Sequence, residues 1–223
     1  AAVSNYHRLW QLDSAISRTT WQRNSVTFKE EVIVSAPQQV IIVRLSASKP
    51  GALSFTTGLS RKERANIQVK DGKSLMTGTL NGGNNDEGLK YASVLNVINK
   101  NGTKKQQGNE IAVANADECL LIISAHTNLN WPDVEHPGAD PLPAALADAN
   151  KAANNSWASM LTAHVKDYQS LFQRCQLTLE DQSYSDVSNL SVLDRLQRLQ
   201  SGKKDAAMVP LYFNFGRYLL ISS

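Results

Sequence analysis

The sequence is poor in the features that mark membrane, metal-binding and nucleic-acid-binding proteins. No apolar run approaches the roughly 20 residues that a helix needs to cross a bilayer. The four histidines lack the close spacing of metal ligands. The formal net charge is only +3 and the basic residues are scattered, whereas nucleic-acid-binding proteins concentrate positive charge on one surface. We therefore expect no membrane span, no metal or other cofactor, and no nucleic-acid partner.

Cysteine is also scarce. The two cysteines are Cys119, within an apolar run, and Cys175, at the end of a helical pattern. Two cysteines in different kinds of element provide neither a disulfide framework nor a zinc site. We expect both to be buried, unpaired thiols that act as small hydrophobic residues.

Residues 1–126 contain short apolar runs separated by turn residues. Strands are predicted at 5–12, 26–34, 39–47, 53–59, 66–69, 74–80, 89–97, 109–113 and 119–125. The run at 39–47 is apolar enough to predict a strand that is covered on both faces. Many short strands with Pro, Gly and Asn turns between them predict an antiparallel β-sandwich. The fold class is therefore mixed and predominantly β.

A proline-rich stretch separates the sandwich from a helical part. Four prolines fall within residues 127–143, which we interpret as a linker. Residues 144–153 are rich in alanine and contain almost no helix breakers. From Trp157 to Phe172, apolar residues recur with a helical period, which predicts an amphipathic helix.

The carboxyl-terminal part predicts a short strand at 177–179, a further helix at 190–199 and a last helix. Asp205 is predicted to cap that last helix, which continues to Leu219. The segment is apolar almost all round, which predicts burial inside a larger helical assembly. Aliphatic residues so near a chain end also need a surface to bury against. We therefore expect this chain to be a piece of a longer protein.

Few residues are candidates for chemistry. His164 and Asp167 lie one helical turn apart beside Tyr168, so a catalytic pair is one interpretation. A histidine on an apolar helical stripe favours the other interpretation, a hydrogen-bonded core residue. The linker contains three carboxylates, Asp133, Glu135 and Asp140. We expect them to be solvated rather than paired for acid–base chemistry.

The four tryptophans are candidates for sugar-stacking platforms. They are Trp10, Trp21, Trp131 and Trp157. The helical stripe explains Trp157 better as a core residue. A surface role in sugar stacking suits Trp131 better, because this residue lies in a predicted loop.

Several blocks of the sequence resemble glycoside hydrolase family 95, and they occur in that family's order. They are residues 5–15, 26–31, 35–45, 116–127, 164–174 and 215–223. The two most specific blocks are the last two, which read HVKDYQSLFQR and FGRYLLISS. Together the blocks span nearly the whole chain.

The resemblance implies a β-sandwich, a helical linker and then an (α/α)₆ barrel, in agreement with the strand and helix patterns. On this basis we expect a sandwich portion at 1–126, a Pro-rich linker at 127–143 and a helical linker region at 144–204. Residues 205–223 would form the first helix of a catalytic barrel. The rest of the barrel is then the intramolecular partner that the last helix lacks.

The resemblance also implies an activity for the longer protein. Members of the family are exo-acting, inverting enzymes that cleave α-L-fucosides, especially α-1,2-linked ones, or α-L-galactosides. The resemblance implies a fucosylated glycan as substrate and a periplasmic or extracellular location. The family's glutamate acid, and the aspartate and asparagines that activate water, belong to barrel segments with no matching position here. We therefore expect no catalytic residue in this chain and no activity from it alone.

A second function remains open. The chain would also fit a stand-alone carbohydrate-binding or interaction module, with the helical part as a docking element. The apolar carboxyl-terminal segment favours the hydrolase, because an independent module is expected to end in a polar stretch.

Overall fold

The computed structural model describes residues 2–83, 87–133, 136–179, 187 and 189–223. The chain divides into two compact units. Unit 1 contains Ala1–Gln11 and Ile16–Val165, and unit 2 contains Leu12–Ala15 and Lys166–Ser223. Glu135, one of the carboxylates considered above, lies outside the described residues.

Within the described residues, eleven strands are followed by four helices. The strands are β1 Ser4–Gln11, β2 Ile16–Arg23, β3 Val26–Ser35, β4 Val40–Ala47, β5 Leu53–Thr57, β6 Asn66–Lys70, β7 Lys73–Asn81, β8 Glu87–Lys100, β9 Thr103–Gln107, β10 Glu110–Ala116 and β11 Glu118–Thr127. The helices are α1 Pro141–Ala153, α2 Trp157–Phe172, α3 Val192–Gln200 and α4 Met208–Ile221. All nine predicted strands between residues 5 and 125 are present, and the predominantly β class is confirmed.

The strands form two antiparallel sheets in unit 1. The large sheet has the order β1-β2-β3-β4-β11-β8-β7-β6, and the small sheet has the order β5-β10-β9. Because side chains alternate between the two faces of a strand, the central strands β4 and β11 supply residues to two different cores.

One core lies between the two sheets. Leu53, Ile111 and Val113 of the small sheet pack against Leu95 and Val97 of the large sheet. All five are buried, and each such side chain contributes roughly 1.5–3 kcal/mol. This packing makes the predicted β-sandwich.

The second core lies on the opposite face of the large sheet. Ile33, Ile42 and Ile122 pack there against Ala152 of α1 and Met160 of α2. The small side chains of α1 let its backbone approach the strands closely. The first helix and the beginning of the second therefore form a third layer of unit 1.

The sheet is not covered everywhere. The run at 39–47 was predicted to be covered on both faces, and this prediction is wrong at Ile41, which is 39% exposed. Val34 pairs with Ile41 in the neighbouring strand and is also exposed, as is Trp10 on the same face. The small sheet reaches only part of this face of the large sheet.

The prolines at the end of the predicted linker begin a helix. Pro141 lies in the first turn of α1, and the Asp140 side chain accepts a hydrogen bond from the Leu142 backbone N–H. Proline suits the first turn, because its missing N–H would have no intrahelical partner there. Asp140 is thus a helix cap at an exposed position.

The strand, cysteine and helix-cap predictions also need correction. Strands β2 and β9 were not predicted, and residues 177–179 form no strand. Cys119 is buried as predicted, but Cys175 is exposed because it follows the end of α2. Ala207 stands at the cap position of α4 and makes no side-chain cap bond, whereas the carboxylate of Asp205, two positions earlier, accepts hydrogen bonds from the Ala207 and Met208 backbone N–H groups.

None of the helices in the described ranges is long and apolar enough to span a membrane.

Candidate functional site

The most organised polar contact of unit 2 joins the last helix to the end of α2. Arg217 of α4 donates from Nη2 to the backbone carbonyls of Phe172 and Leu171, the latter at 3.3 Å. Its guanidinium also lies 4.6 Å from the centroid of the Phe172 ring. The last carbonyls of a helix lack intrahelical donors and carry partial negative charge, so a cation suits them. Arg217 therefore caps α2.

Aromatic side chains surround this contact. Tyr168 stacks on Phe172 with ring centroids 5.3 Å apart, and Tyr218 of α4 is tilted against Tyr168 at 6.4 Å. The Tyr168 hydroxyl donates to the Leu12 carbonyl at 2.7 Å. Burial raises the pKa of Tyr168 to about 12, so the phenol keeps its proton. The cluster anchors α4 rather than exchanging protons.

A buried ion pair fixes the approach to α4. Arg195 of α3 donates from Nε and Nη2 to the two carboxylate oxygens of Asp205, at 2.7 and 2.8 Å. The Asp205 side chain is fully buried. The hydrogen bonds from Arg195 hold the pKa of Asp205 below its ordinary value. Asp205 therefore orients the chain before α4 through a salt bridge.

Much of the remaining surface of α4 is apolar and exposed. Tyr212 is 79% exposed and Leu220 is 78% exposed. Val209 and Leu219 are also exposed, and no residue of α4 is buried. Exposed apolar surface of this extent marks an interaction site.

Unit 1 contains a separate charged cluster on the helix-covered face of the large sheet. Glu31 is almost fully buried and receives Arg18 and Lys29 on Oε1, at 3.0 and 2.7 Å, and Arg44 on Oε2 at 3.1 Å. Burial raises the pKa of Glu31, but the hydrogen bonds from Lys29 and Arg18 outweigh it, and the net pKa is lowered. Glu31 therefore stays ionised.

The same cluster continues towards α2. Arg44 also contacts Glu118 at 2.6 Å, and its guanidinium lies 5.6 Å from the Trp157 ring centroid. Trp157 packs against the adjacent core, as its helical position predicts. This network joins strands to the helix layer.

The residues singled out in the sequence for acid–base chemistry are not gathered into one site. His164 is buried, whereas Asp167 is exposed on the same helix. Asp133 contacts His136 at 2.9 Å on the exposed loop after β11. Among the described residues, no group of three or more potential ligands could hold a metal ion.

One titratable pair was not foreseen. His126 at the end of β11 contacts Asp148 of α1, with Nε2 and Oδ2 2.7 Å apart. The two residues are 22 positions apart, and neither lies in a recognisable motif. The pair fastens α1 to the large sheet.

Two family models match successive parts of the chain. Residues 1–131 match the family described as "Glycosyl hydrolase family 65, N-terminal domain". Residues 156–223 match "Glycosyl hydrolase family 95 catalytic domain". The chain belongs to the first of these families, and the predicted resemblance to glycoside hydrolase family 95 is confirmed.

Curated relatives align with almost the whole chain. It is 29% identical to "Alpha-L-fucosidase 2" of Arabidopsis thaliana over 245 aligned residues, and 28% identical to "Probable alpha-fucosidase A" of Aspergillus niger over 235. Both alignments cover 99% of this chain but only 29% of the relative. The chain therefore spans less than a third of the length of these relatives.

A solved structure shares the fold. "Putative kojibiose phosphorylase from human microbiome" superposes with a TM-score of 0.51 at 13% identity, over 83% of this chain and 27% of that one. At this identity the likeness concerns the fold alone.

Proposed function

We propose that this chain is the sandwich and barrel-opening part of a glycoside hydrolase that removes terminal α-L-fucose, or the related L-galactose, from glycans. One observation carries the proposal. A sandwich match at 1–131 is followed in the same chain by a match to a family 95 catalytic domain at 156–223. The two relatives named as α-fucosidases support the sugar class.

In this proposal the longer enzyme is exo-acting and inverting, and α-1,2-linked fucose is the preferred substrate. Inversion requires a carboxylic acid that protonates the leaving oxygen and a second group that activates water on the opposite face. Neither is assigned to a residue of this chain. The known ion pairs commit Glu31 and Asp205 to arginine partners, so both carboxylates have structural roles.

The proposed role of the chain is to brace the catalytic barrel. We divide it into a sandwich at 1–126, a linker at 127–143, a helical region at 144–204 and the first barrel helix at 205–223. The uncovered apolar side chains of α4 would pack against later barrel helices. Arg217 and Asp205 hold that helix in place for them.

The experiment is an assay of the full-length gene product that contains this chain. It is expected to release fucose from 2′-fucosyllactose, and the first product seen by proton NMR is expected to be the β-anomer. Release of the α-anomer would refute inversion, and no release from any α-L-fucoside or α-L-galactoside would refute the proposal. The 223-residue chain, assayed at the same concentration, is expected to show no release above a buffer blank.

A carbohydrate-binding module without hydrolase activity is the alternative. The family 95 catalytic match at 156–223 favours the hydrolase, because a binding module has no need of catalytic-domain sequence. Fucoside binding by the full-length product without turnover would instead support the module.

A further inference from the structure

The loop between β11 and α1 is closed at its base. Asn128 is buried, and its backbone N–H donates to the Lys90 carbonyl at 3.0 Å. Its side-chain Oδ1 accepts from the Lys90 N–H at 2.7 Å, and its carbonyl accepts from the Gly138 N–H at 2.8 Å. A Cβ at Gly138 would lie 3.3 Å from that carbonyl, so glycine lets the two ends approach. Compact loops with joined ends are frequently functional.

In the described part of this loop, the Trp131 indole is followed in the sequence by the polar residues Asp133 and His136. Trp131 is 79% exposed. Asp133 and His136 are exposed nearby in sequence, and the His136 Nδ1 lies 2.9 and 3.0 Å from the two Asp133 carboxylate oxygens. Tryptophan is rarely left in water to this extent, because it is the side chain with the largest apolar surface to bury.

The surroundings of Trp131 fit a sugar better than a protein surface. Trp10 is the contrasting case, since it shares its sheet face with the exposed aliphatic residues Val34 and Ile41. A sugar ring has a face of C–H groups that covers an aromatic plane, while its hydroxyls need polar partners. A 6-deoxy sugar adds a methyl group to the apolar part. The indole supplies the apolar partner, and the carboxylate and imidazole two and five positions further along the chain supply polar partners.

We propose that Trp131 is a stacking platform for the fucosylated glycan, with Asp133 and His136 binding its hydroxyl groups. The inference rests on the proposed function for its sugar class. It assigns Trp131 to glycan binding and leaves catalysis to the barrel.

The test is a titration of the 223-residue chain followed through its indole N–H resonances. The chain has four tryptophans, and Trp131→Ala identifies the resonance in question. The probe is 2′-fucosyllactose, with lactose as the unfucosylated control. The titration extends to about 10 mM, so that a Kd of about 1 mM is measured. We expect the Trp131 resonance to shift with the fucosylated sugar and to stay in place with lactose.

Variants complete the test. Trp131→Ala is expected to weaken binding at least about tenfold, a loss of about 1.4 kcal/mol. Trp131→Phe should recover part of it, because a smaller aromatic face remains. Trp10→Ala is the matched control for an exposed tryptophan elsewhere and should bind as the unmodified chain does. Because Trp131 is so exposed, its replacement leaves the core of the sandwich intact.

Three outcomes would overturn the inference. They are an unmoved Trp131 resonance, equal shifts with both sugars, and shielding of Trp131 from acrylamide quenching in the sugar-free full-length product. The last would show that the loop docks on protein instead. Failure here while the full-length product still hydrolyses fucosides would refute only the Trp131 platform. Lack of hydrolysis by the full-length product would refute the proposed function. The Trp131 titration measures sugar binding whether or not the full-length product hydrolyses fucosides.

Discussion

Replacement of Asp205 by Asn tests the account of unit 2 most severely. The carboxylate is fully buried and accepts two hydrogen bonds from Arg195, whose side chain is only 12% exposed. The variant keeps the shape of the side chain but removes its charge, which leaves the guanidinium without a counterion. Breaking a buried pair in this way costs about 3–5 kcal/mol, and we expect about 3 kcal/mol because Arg195 retains some contact with water.

The effect should depend on pH in a defined direction. The hydrogen bonds from Arg195 lower the pKa of Asp205 in the folded state. A lowered carboxylate pKa contributes stability above the unfolded value of about 4, and this stability is lost as the pH falls through the folded value. The difference between the unmodified chain and Asp205→Asn should therefore be full at neutral pH and should shrink below about pH 4.

The assay is urea unfolding followed by helical circular dichroism, supported by a thermal scan. For a chain of this size, the expected loss lowers the melting temperature by about 6–12 °C. Asp167→Asn is the matched control, since Asp167 is exposed on α2. A free energy of unfolding for Asp205→Asn within about 0.5 kcal/mol of the unmodified chain would refute the reasoning.

Two further predictions concern packing and thiol reactivity. Gly78→Ala should destabilise unit 1 by roughly 1–3 kcal/mol or more, because its Cβ would overlap the Arg64 carbonyl oxygen. Gly216→Ala, with open space at its Cβ, should be neutral or stabilise α4 by up to about 1 kcal/mol in the same thermal assay. In a thiol titration, Cys175 should react in the folded chain and Cys119 only in denaturant, since burial raises the pKa of Cys119 to about 11. Equal reaction rates of the two thiols would contradict the buried position of Cys119.

The strands were predictable where one face of the strand is buried. Alternating burial leaves a local pattern, and β3 and β10 were found from it. Strand β9 reads TKKQQ and is exposed throughout, so it has no apolar face to detect. Lysines are typical of an edge strand, where they discourage pairing with another chain. Strand β2 was not predicted, because its helix-covered face has only one apolar residue at the start, Ile16. The positions that follow on that face are polar: Arg18, Thr20 and Gln22.

The contacts of the candidate site could not be predicted from the sequence. Arg217 caps a helix that ends 45 positions earlier, and Arg44 meets Glu118 across 74 positions. Such pairs depend on the register of sheets and helices, for which a single sequence contains no local signal. Asp205 shows the same limit, because its position before α4 predicted the hydrogen bonds from the Ala207 and Met208 N–H groups but not the salt bridge with Arg195.

The family resemblance and the strand and helix periodicity predict the same order of layers, although each rests on a different property of the sequence. The alternating strands and the Trp157 helix define the order of layers, which hydrophobic periodicity reveals. In the proposed function, activity depends instead on a few residues that a complete barrel would position. Fold was therefore accessible from this sequence, while catalytic chemistry was accessible only through relatives.

We propose that α4 is a barrel helix whose apolar surface is covered by further helices of the full-length enzyme. The most direct measurement is hydrogen exchange of the Met208–Ile221 segment in the 223-residue chain and in the full-length gene product. The account predicts rapid exchange in the short chain and strong protection in the full-length product, centred on Tyr212 and Leu220. Equal exchange in the two proteins would contradict it.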